Sequence, residues 1–244
     1  MTRSGGVSQG EVAGLQCGFG AGDDDADVRA NRRIVSETVL PGARLVTPYQ
    51  VHSAKAAIVT ETWAWENRPQ VDAVVTDRPG LLLGIVTADC APVLLADRAA
   101  GVVAAAHAGW RGAHEGVIEA TVDAMTSIGA DRSRIAAAIG PCIAQASYEV
   151  GEDFRKNFSM ADDAGFFESG REGHWQFDLA GYVGKLLRQS GVSQPESVAD
   201  DTYSATRADD GSFRYYSYRR ATHRGEANYG RQLSVIGLAG PLAS

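Results

Sequence analysis

The stretch Val71–His107, VDAVVTDRPGLLLGIVTADCAPVLLADRAAGVVAAAH, decides the fold class. It contains four short apolar runs, VDAVVTD, LLLGIVT, PVLLAD and GVVAAAH, separated by Pro-Gly, Asp-Cys and Asp-Arg-Ala-Ala-Gly. Runs of this length, rich in branched apolar residues and bounded by turn formers, are buried strands. The gaps are too short for helical crossovers, so the spacing predicts a mainly antiparallel or mixed sheet.

Outward from this block the period becomes helical. Upstream, Ala26–Leu40 carries Val28, Ala30, Ile34, Val35 and Val39 with Asp27 near its start; downstream, Val117, Thr121, Ala124 and Ile128 share one face before the stop signal Gly129. A further strand is expected over Arg134–Ile139, ending in Gly140-Pro141-Cys142, and a second amphipathic helix over Phe177–Ser190, ended by Gly191. The tail predicts a polar aromatic strand, Phe213–Tyr218, and a last strand, Leu233–Leu238. The cluster Glu149–Asp153 reads as a helix start, where acids are favoured. Strands in runs with irregularly interspersed helices make an α+β fold. With no repeat or linker in the sequence, the expectation is one domain over residues 1–244.

Of the 244 residues, 44% are apolar and 22% charged, a balance that excludes a disordered or collagen-like chain. The net charge of −7, with acids scattered apart from Asp23-Asp24-Asp25, provides no basic face for nucleic acid. No apolar stretch approaches the roughly 18 residues of a membrane helix, and Met1–Gly6 lacks a signal-peptide core. The expected location is the cytoplasm. Cys17, Cys90 and Cys142 are odd in number and far apart, which disfavours a disulfide framework and leaves core filler, metal ligand or nucleophile for each.

Cys90 follows LLLGIVTAD and His107 follows GVVAAA, and pairing through PVLLAD would bring both side chains to one rim. With His52, a thiolate and two imidazoles would suit zinc or copper and leave one position open, as in a catalytic site. Two other readings stand beside it: Cys90 as a small buried hydrophobe, and a Cys–His pair with Cys90 as nucleophile. Gly109-Trp110-Arg111-Gly112 lies between a strand and a helix, where backbone N–H groups and Arg111 could hold an anion; the alternative is a tight turn with Trp110 as a core plug. Arg219, Arg220 and Arg231 add guanidinium groups that form either an anion-binding rim or solvated surface. His114, His174 and His223 show no partner pattern.

These loops together identify a family. Thr2-Arg3, Gly5-Gly6-Val7-Ser8, Asn31-Arg32, Gln50-Val51-His52, Thr87-Ala88-Asp89-Cys90-Ala91-Pro92-Val93, His107-Ala108-Gly109-Trp110-Arg111-Gly112, Gly140-Pro141-Cys142-Ile143, Tyr148–Gly151, Ser217–Arg220 and Gly230-Arg231 occur in one order. The chain resembles the laccase-domain (YfiH-type) proteins, formerly called multicopper polyphenol oxidases and now largely regarded as purine nucleoside phosphorylases. The resemblance implies a layered α-β-β-α sandwich with mixed sheets, similar to that of the cytotoxic necrotizing factors. It also implies a metal, usually zinc with copper as the alternative, on His52, Cys90 and His107. Three departures from the family pattern are visible: Met1 stands immediately before Thr2-Arg3 where the family has a further strand, so that strand is missing or the true start lies upstream, Gln16 stands where the family has Asn, and Asp201-Thr202 replaces a Cys-Thr pair.

The implied activity is phosphorolysis of adenosine, inosine, guanosine and methylthioadenosine, with adenosine deamination at the same metal. The small-molecule partners are then a nucleoside and phosphate, with Arg111 and Arg3 expected to fix phosphate and Asp89 to relay a proton or orient a ligand imidazole. The rivals are a copper polyphenol oxidase and an amidase that edits peptidoglycan precursors. Blue multicopper oxidases need about ten His plus Cys, and the chain has five His. Cys142 is expected to be structural at a tight turn, and Cys17 filler.

Overall fold

The computed structural model describes residues 1–160 and 165–240, so four residues at the end of the expected 1–244 unit, and residues 161–164, lie outside the description. In chain order its strands are β1 (Arg44–Val46), β2 (Ala56–Ile58), β3 (Ala73–Thr76), β4 (Leu81–Thr87), β5 (Ala91–Asp97), β6 (Val102–Ala108), β7 (Ala136–Ile139), β8 (Glu149–Gly151), β9 (Phe167–Ser169), β10 (His174–Phe177), β11 (Glu196–Ser197) and β12 (Gln232–Gly237). The helices that matter most for the site are α1 (Asp25–Val39), α2 (Trp110–Glu115) and α3 (Val117–Ser127). The Asp24 carboxylate accepts from the Ala26 N–H at the start of α1, a cap that satisfies one of the orphan donors there.

Two sheets make the frame, ordered β1-β4-β12 and β11-β7-β5-β6-β3-β2, with a small third sheet β8-β10-β9. The β5–β6, β3–β6, β5–β7 and β4–β12 pairs are antiparallel, and β1–β4, β2–β3 and β7–β11 are parallel. The mixed pairing matches expectation. One apolar run does not join the others: β4, LLLGIVT, lies in the opposite sheet. Both of its faces are apolar, so it can be buried on two sides at once.

Alternation along the strands sorts the core into layers. Ala73, Val75, Val93, Leu95, Ala104 and Ala106 pack under α3 and the helix Leu179–Gln189. Val74, Leu81, Leu83, Ile85, Val103 and Ala105 fill the space between the sheets. On the far side, Val35 of α1 packs with Leu15, Cys17 and Leu233. The order is therefore helix, sheet, sheet, helix, the α-β-β-α sandwich implied by the resemblance.

The tail departs from the expected pattern. Phe213–Tyr218 is not a strand; Phe213 makes only an isolated bridge to Thr206. Tyr216 places its N–H and carbonyl on the Gln232 side-chain amide instead of a neighbouring strand. Ser217 then caps the helix Tyr218–Arg224 by accepting from the Arg220 N–H. The Glu149–Asp153 cluster divides, with Glu149–Gly151 as β8 and a helix beginning at Glu152.

Candidate active site

His107 lies near the end of β6, on the face with Val103 and Ala105, and so points into the space between the sheets. The register pairs Pro92 with His107 and Ala91 with Ala108, so Cys90, one residue before β5, arrives beside it. His52 comes from the loop between β1 and β2. The ligand atoms of His52, Cys90 and His107 all lie within 4.8 Å of one another, and the two imidazole centroids are 4.7 Å apart.

The group that fixes this arrangement is Asp72, which the sequence reading passed over. The register Ala73↔Ala106 sets Asp72 opposite His107, and the two are joined twice. The His107 N–H donates to the Asp72 carbonyl at 2.7 Å, and His107 Nδ1 meets Asp72 Oδ1 at 2.8 Å. The same fully buried carboxylate accepts from the backbone N–H groups of Val51, His52 and Ser53 at 3.2, 3.0 and 2.6 Å, and from the Ser53 hydroxyl at 2.9 Å. It thereby orients one imidazole and holds the loop that carries the other.

Electrostatics follow from these contacts. Burial alone would raise the Asp72 carboxyl, but the His107 and Ser53 hydrogen bonds outweigh it and hold it at about 2. Burial would lower His107; the Cys90 thiol group and the Asp72 carboxylate together push it up to about 9 in the absence of a metal. His52 is held below its ordinary value by the surrounding protein and by His107, although its surface remains open to solvent.

Backbone strain concentrates here. Among the described residues, the non-glycine positions with positive φ are His52 at 59° and Asp89 at 83°, conformations that non-glycine residues seldom adopt without a compensating constraint. For His52 the constraint is Asp72. At Asp89 it is a set of donors to its own carboxylate, the Thr202 hydroxyl at 2.7 Å and the Arg219 N–H at 2.7 Å. Asp89 thus ties the Cys90 loop to the tail helix, and the carboxylate that bonds an imidazole of the cluster is Asp72.

The donor set fits one metal ion. Asp72 occupies Nδ1 of His107, which leaves Nε2 toward Cys90. Gly109, the residue before α2, has no Cβ to block the cluster; one added there would stand 2.9 Å from His52 Nδ1 and 3.0 Å from Cys90 Sγ. The other three histidines are engaged elsewhere: His114 with Tyr182, His174 with Arg171 and His223 with Tyr203. One three-donor cluster therefore stands among the described residues, too few ligands for a multicopper centre.

The cluster forms one wall of a cavity of about 550 Å³ that also bears Gln50, Thr87, Phe19, Trp65, Tyr218 and Tyr229. Arg32, Arg68 and Arg231 line it, and among the described residues no Asp or Glu does. Arg32 is half-buried, and its hydrogen bonds go to the Cys17 carbonyl and the Thr47 hydroxyl. Burial, countered by Cys17, together with the charges of Arg68 and Arg29, draws it down to about 10. Arg68 lies over the Trp65 ring at 3.1 Å, and Arg231 donates to the Phe19 carbonyl and the Tyr229 hydroxyl.

The remaining predicted site residues fall elsewhere. Arg3 does not line this cavity: it donates to the Ala13 carbonyl and sits 4.6 Å over Tyr216. Arg111, in the first turn of α2, is exposed and flanks His52 electrostatically without lining the cavity. Arg219 and Arg220 bond backbone carbonyls, Arg219 that of Glu149 and Arg220 those of Thr202 and Tyr203. Cys17 and Cys142 are buried, with their thiols pushed up to about 11 and about 12 by burial, which fits structural roles. Asp72 was detectable in principle as the one acid inside VDAVVT. Arg32 stood in the Asn31-Arg32 motif without a role attached to it, and Arg68 carries no such signal, because an arginine in a loop reads as surface.

Fold and site define the class: a layered α+β protein with a candidate three-ligand metal centre at the end of its inter-sheet core. The chain belongs to the multi-copper polyphenol oxidoreductase laccase family, whose model matches residues 1–239. It is similar to proteins named purine nucleoside phosphorylase, at 42% identity over 78% of both chains for one from Streptomyces coelicolor. One from Deinococcus radiodurans is 40% identical over 97% of this chain and 87% of its own. Among solved structures, Neisseria meningitidis protein NMB0706 superposes with a TM-score of 0.84 at 36% identity, covering 98% of this chain and 93% of its own. Geobacillus stearothermophilus YlmD gives 0.83 at 30%, covering 98% and 90%. No helix among the described residues is long and apolar enough to cross a membrane.

Proposed function

We propose that the chain is a metal-dependent purine nucleoside phosphorylase. The observation that carries this reading is the cavity itself, which sets the His52–Cys90–His107 cluster in the same space as three arginines, with no carboxylate among the described residues that line it. The names of the relatives support it. Phosphorolysis breaks the C1′–N9 bond and joins C1′ to a phosphate oxygen, so it needs an anion held against the sugar and relief of charge on the departing base. Arg32, Arg68 and Arg231 supply the anion's counter-charges in a partly enclosed space where they act strongly. Arg111 adds a flanking charge at the His52 side; Arg3, expected to share this work, lies outside the cavity lining and over the Tyr216 ring.

His52, Cys90 and His107 would hold the metal, zinc in this proposal, which when bound supplies a Lewis acid. Asp72 keeps His107 in the tautomer that presents Nε2, and its bonds to residues 51–53 hold His52 in its strained conformation. The aromatic rings of Phe19, Tyr218 and Tyr229 give apolar surface for a nucleoside to displace water from. The residues act together as one unit spanning both sheets and the tail. Adenosine deamination at the same cluster is a further part of this proposal.

The deciding assay incubates metal-replete protein with inosine and follows hypoxanthine release with and without phosphate. Phosphate-dependent release that disappears in His107→Ala supports the reading; no release with wild type defeats it. A second reading has its own observation: Cys90, His107 and Asp72 form a thiol–imidazole–carboxylate chain, the arrangement of a cysteine nucleophile. His52 separates the two, because the metal needs it and the nucleophile does not. A peptidoglycan-precursor amidase or a copper phenol oxidase would be revealed by turnover of a muramyl peptide or by oxygen uptake with a phenol.

A further inference from the structure

Trp65 stands in a tower of rings and cations in the wall of the cavity. Its ring lies 4.2 Å from that of Phe19, centroid to centroid, and the Arg68 guanidinium sits 3.1 Å over it. Arg32 reaches the same two rings, at 4.7 Å from Phe19 and 5.5 Å from Trp65. Arg68 also donates from Nε to the Trp65 carbonyl at 2.9 Å, so the ring and the backbone of one residue together hold its guanidinium. All four residues line the cavity.

The segment that carries Trp65 and Arg68 is loosely held. It runs over residues 60–68 between two fixed ends: Val59, whose N–H donates to the Val75 carbonyl at 2.7 Å, and Pro69, whose carbonyl accepts from the Tyr49 N–H at 3.0 Å. None of residues 60–68 is buried. Among the described residues their backbone makes no hydrogen bond to another segment, and Asn67 donates within the turn, to the Ala64 carbonyl. The polar tie to the body is Trp63 Nε1 on the Thr47 carbonyl at 3.2 Å. Trp65 and Arg68 also border a second space of about 140 Å³, walled by Leu45, Val46 and Trp63, which a tightly packed loop would fill. A segment with few buried contacts and a solvated backbone opens at low cost in free energy.

Charge decides when it stays shut. Arg32 and Arg68 repel each other beside Trp65, and no Asp or Glu among the described residues that line the cavity relieves them. An anion between the two turns repulsion into attraction, and it does so only while Arg68 faces the cavity, so it favours that state.

We propose that Trp65 is the positioning residue of the anion site: it carries Arg68 on a flap, residues 60–68, that closes over the cavity when phosphate binds. The inference rests on the phosphorylase reading above, which supplies the phosphate. It adds a moving part, opening often in free protein and staying shut on the anion.

The test follows amide hydrogen exchange in metal-replete protein with and without inorganic phosphate, together with steady-state kinetics of Trp65→Ala and Trp65→Phe. In free wild type, residues 60–68 are expected to exchange about 100-fold or more faster than β3. Saturating phosphate is expected to slow them about ten-fold or more and to leave β3 unchanged. Trp65→Ala is expected to lose that protection and to raise the phosphate KM about ten-fold with kcat within about two-fold of wild type. Trp65→Phe, which keeps a ring under Arg68, is expected to recover most of both, a split between KM and kcat that a merely structural role would not produce. Residues 60–68 exchanging as slowly as β3 in free protein, phosphate without effect on them, or a wild-type phosphate KM in Trp65→Ala each overturns the proposal. Wild-type protein that releases no hypoxanthine overturns the phosphorylase reading, and phosphate protection of residues 60–68 in that same protein still upholds the flap.

Discussion

Asp72 and His107 face each other across β3 and β6 and are joined through both backbone and side chain, at 2.7 and 2.8 Å. A carboxylate behind a ligand imidazole sets which nitrogen faces the metal and raises its basicity. Here the same carboxylate also anchors the backbone of residues 51–53, so one side chain controls two of the three proposed ligands.

Asp72→Asn is expected to weaken metal affinity by about 10–100-fold, the usual cost of removing such a partner. Competition titration against a chromophoric chelator measures it. Asp72→Ala leaves the N–H groups of residues 51–53 without their acceptor and is expected to cost about 3 kcal/mol of folding stability besides, by analogy with breaking a buried pair. Denaturant unfolding reads that difference.

Gly109→Ala puts a methyl group within 3.0 Å of both His52 Nδ1 and Cys90 Sγ. Its backbone φ is −68°, so the chain itself tolerates alanine. The expected outcome is a folded protein with unchanged far-ultraviolet dichroism and less than half the wild-type metal content by atomic emission.

Arg32→Gln and Arg68→Gln should raise the KM for phosphate by about ten-fold each, since a charge-assisted contact contributes about 1.5–3 kcal/mol. The KM for inosine should move less. Arg3→Gln, lying outside the cavity lining, should leave the phosphate KM within about two-fold, a surface-scale change of under 0.5 kcal/mol. Steady-state kinetics at varied phosphate decides between these assignments.

Chelation followed by dialysis is expected to abolish hypoxanthine release, and about one equivalent of zinc per chain to restore it, as a single three-ligand site requires. Copper reconstitution is expected to produce no sustained oxygen uptake with a phenol. Uptake at rates comparable to phosphorolysis would favour the oxidase.

Asp89→Ala removes the acceptor for Thr202 and Arg219 and is expected to destabilise the fold by about 2 kcal/mol through unpaired buried donors. A loss of activity without loss of stability would instead point to proton transfer at Asp89. Thermal melting and turnover measured on the same preparation separate the two.

The strands were legible because their signal is local: apolar runs bounded by turns, at spacings too short for helices, leave a sheet as the way to bury them. The helix α1 was legible for the same kind of reason, through its period and its acidic start. His52, Cys90 and His107 were legible as donors of the right chemistry, with the order of motifs naming them as a set. The Phe213–Tyr218 segment misled because alternating aromatics look like a strand whether a neighbouring strand or the Gln232 amide satisfies the backbone.

By itself, then, the sequence determined most of the elements and the α+β class, since these depend on composition and spacing within a short window, while the candidate ligands were implied by the family resemblance that the order of motifs carries. Tertiary structure decided what no window contains. It sent β4 to the opposite sheet and placed Asp72 directly behind His107 through the register of β3 on β6. It also gathered Arg32, Arg68 and Arg231 from three distant segments onto one cavity while turning Arg3 toward Tyr216. The physical reason is that register and sheet assignment are set by which faces can be buried together, a property of pairs of segments that no single segment encodes.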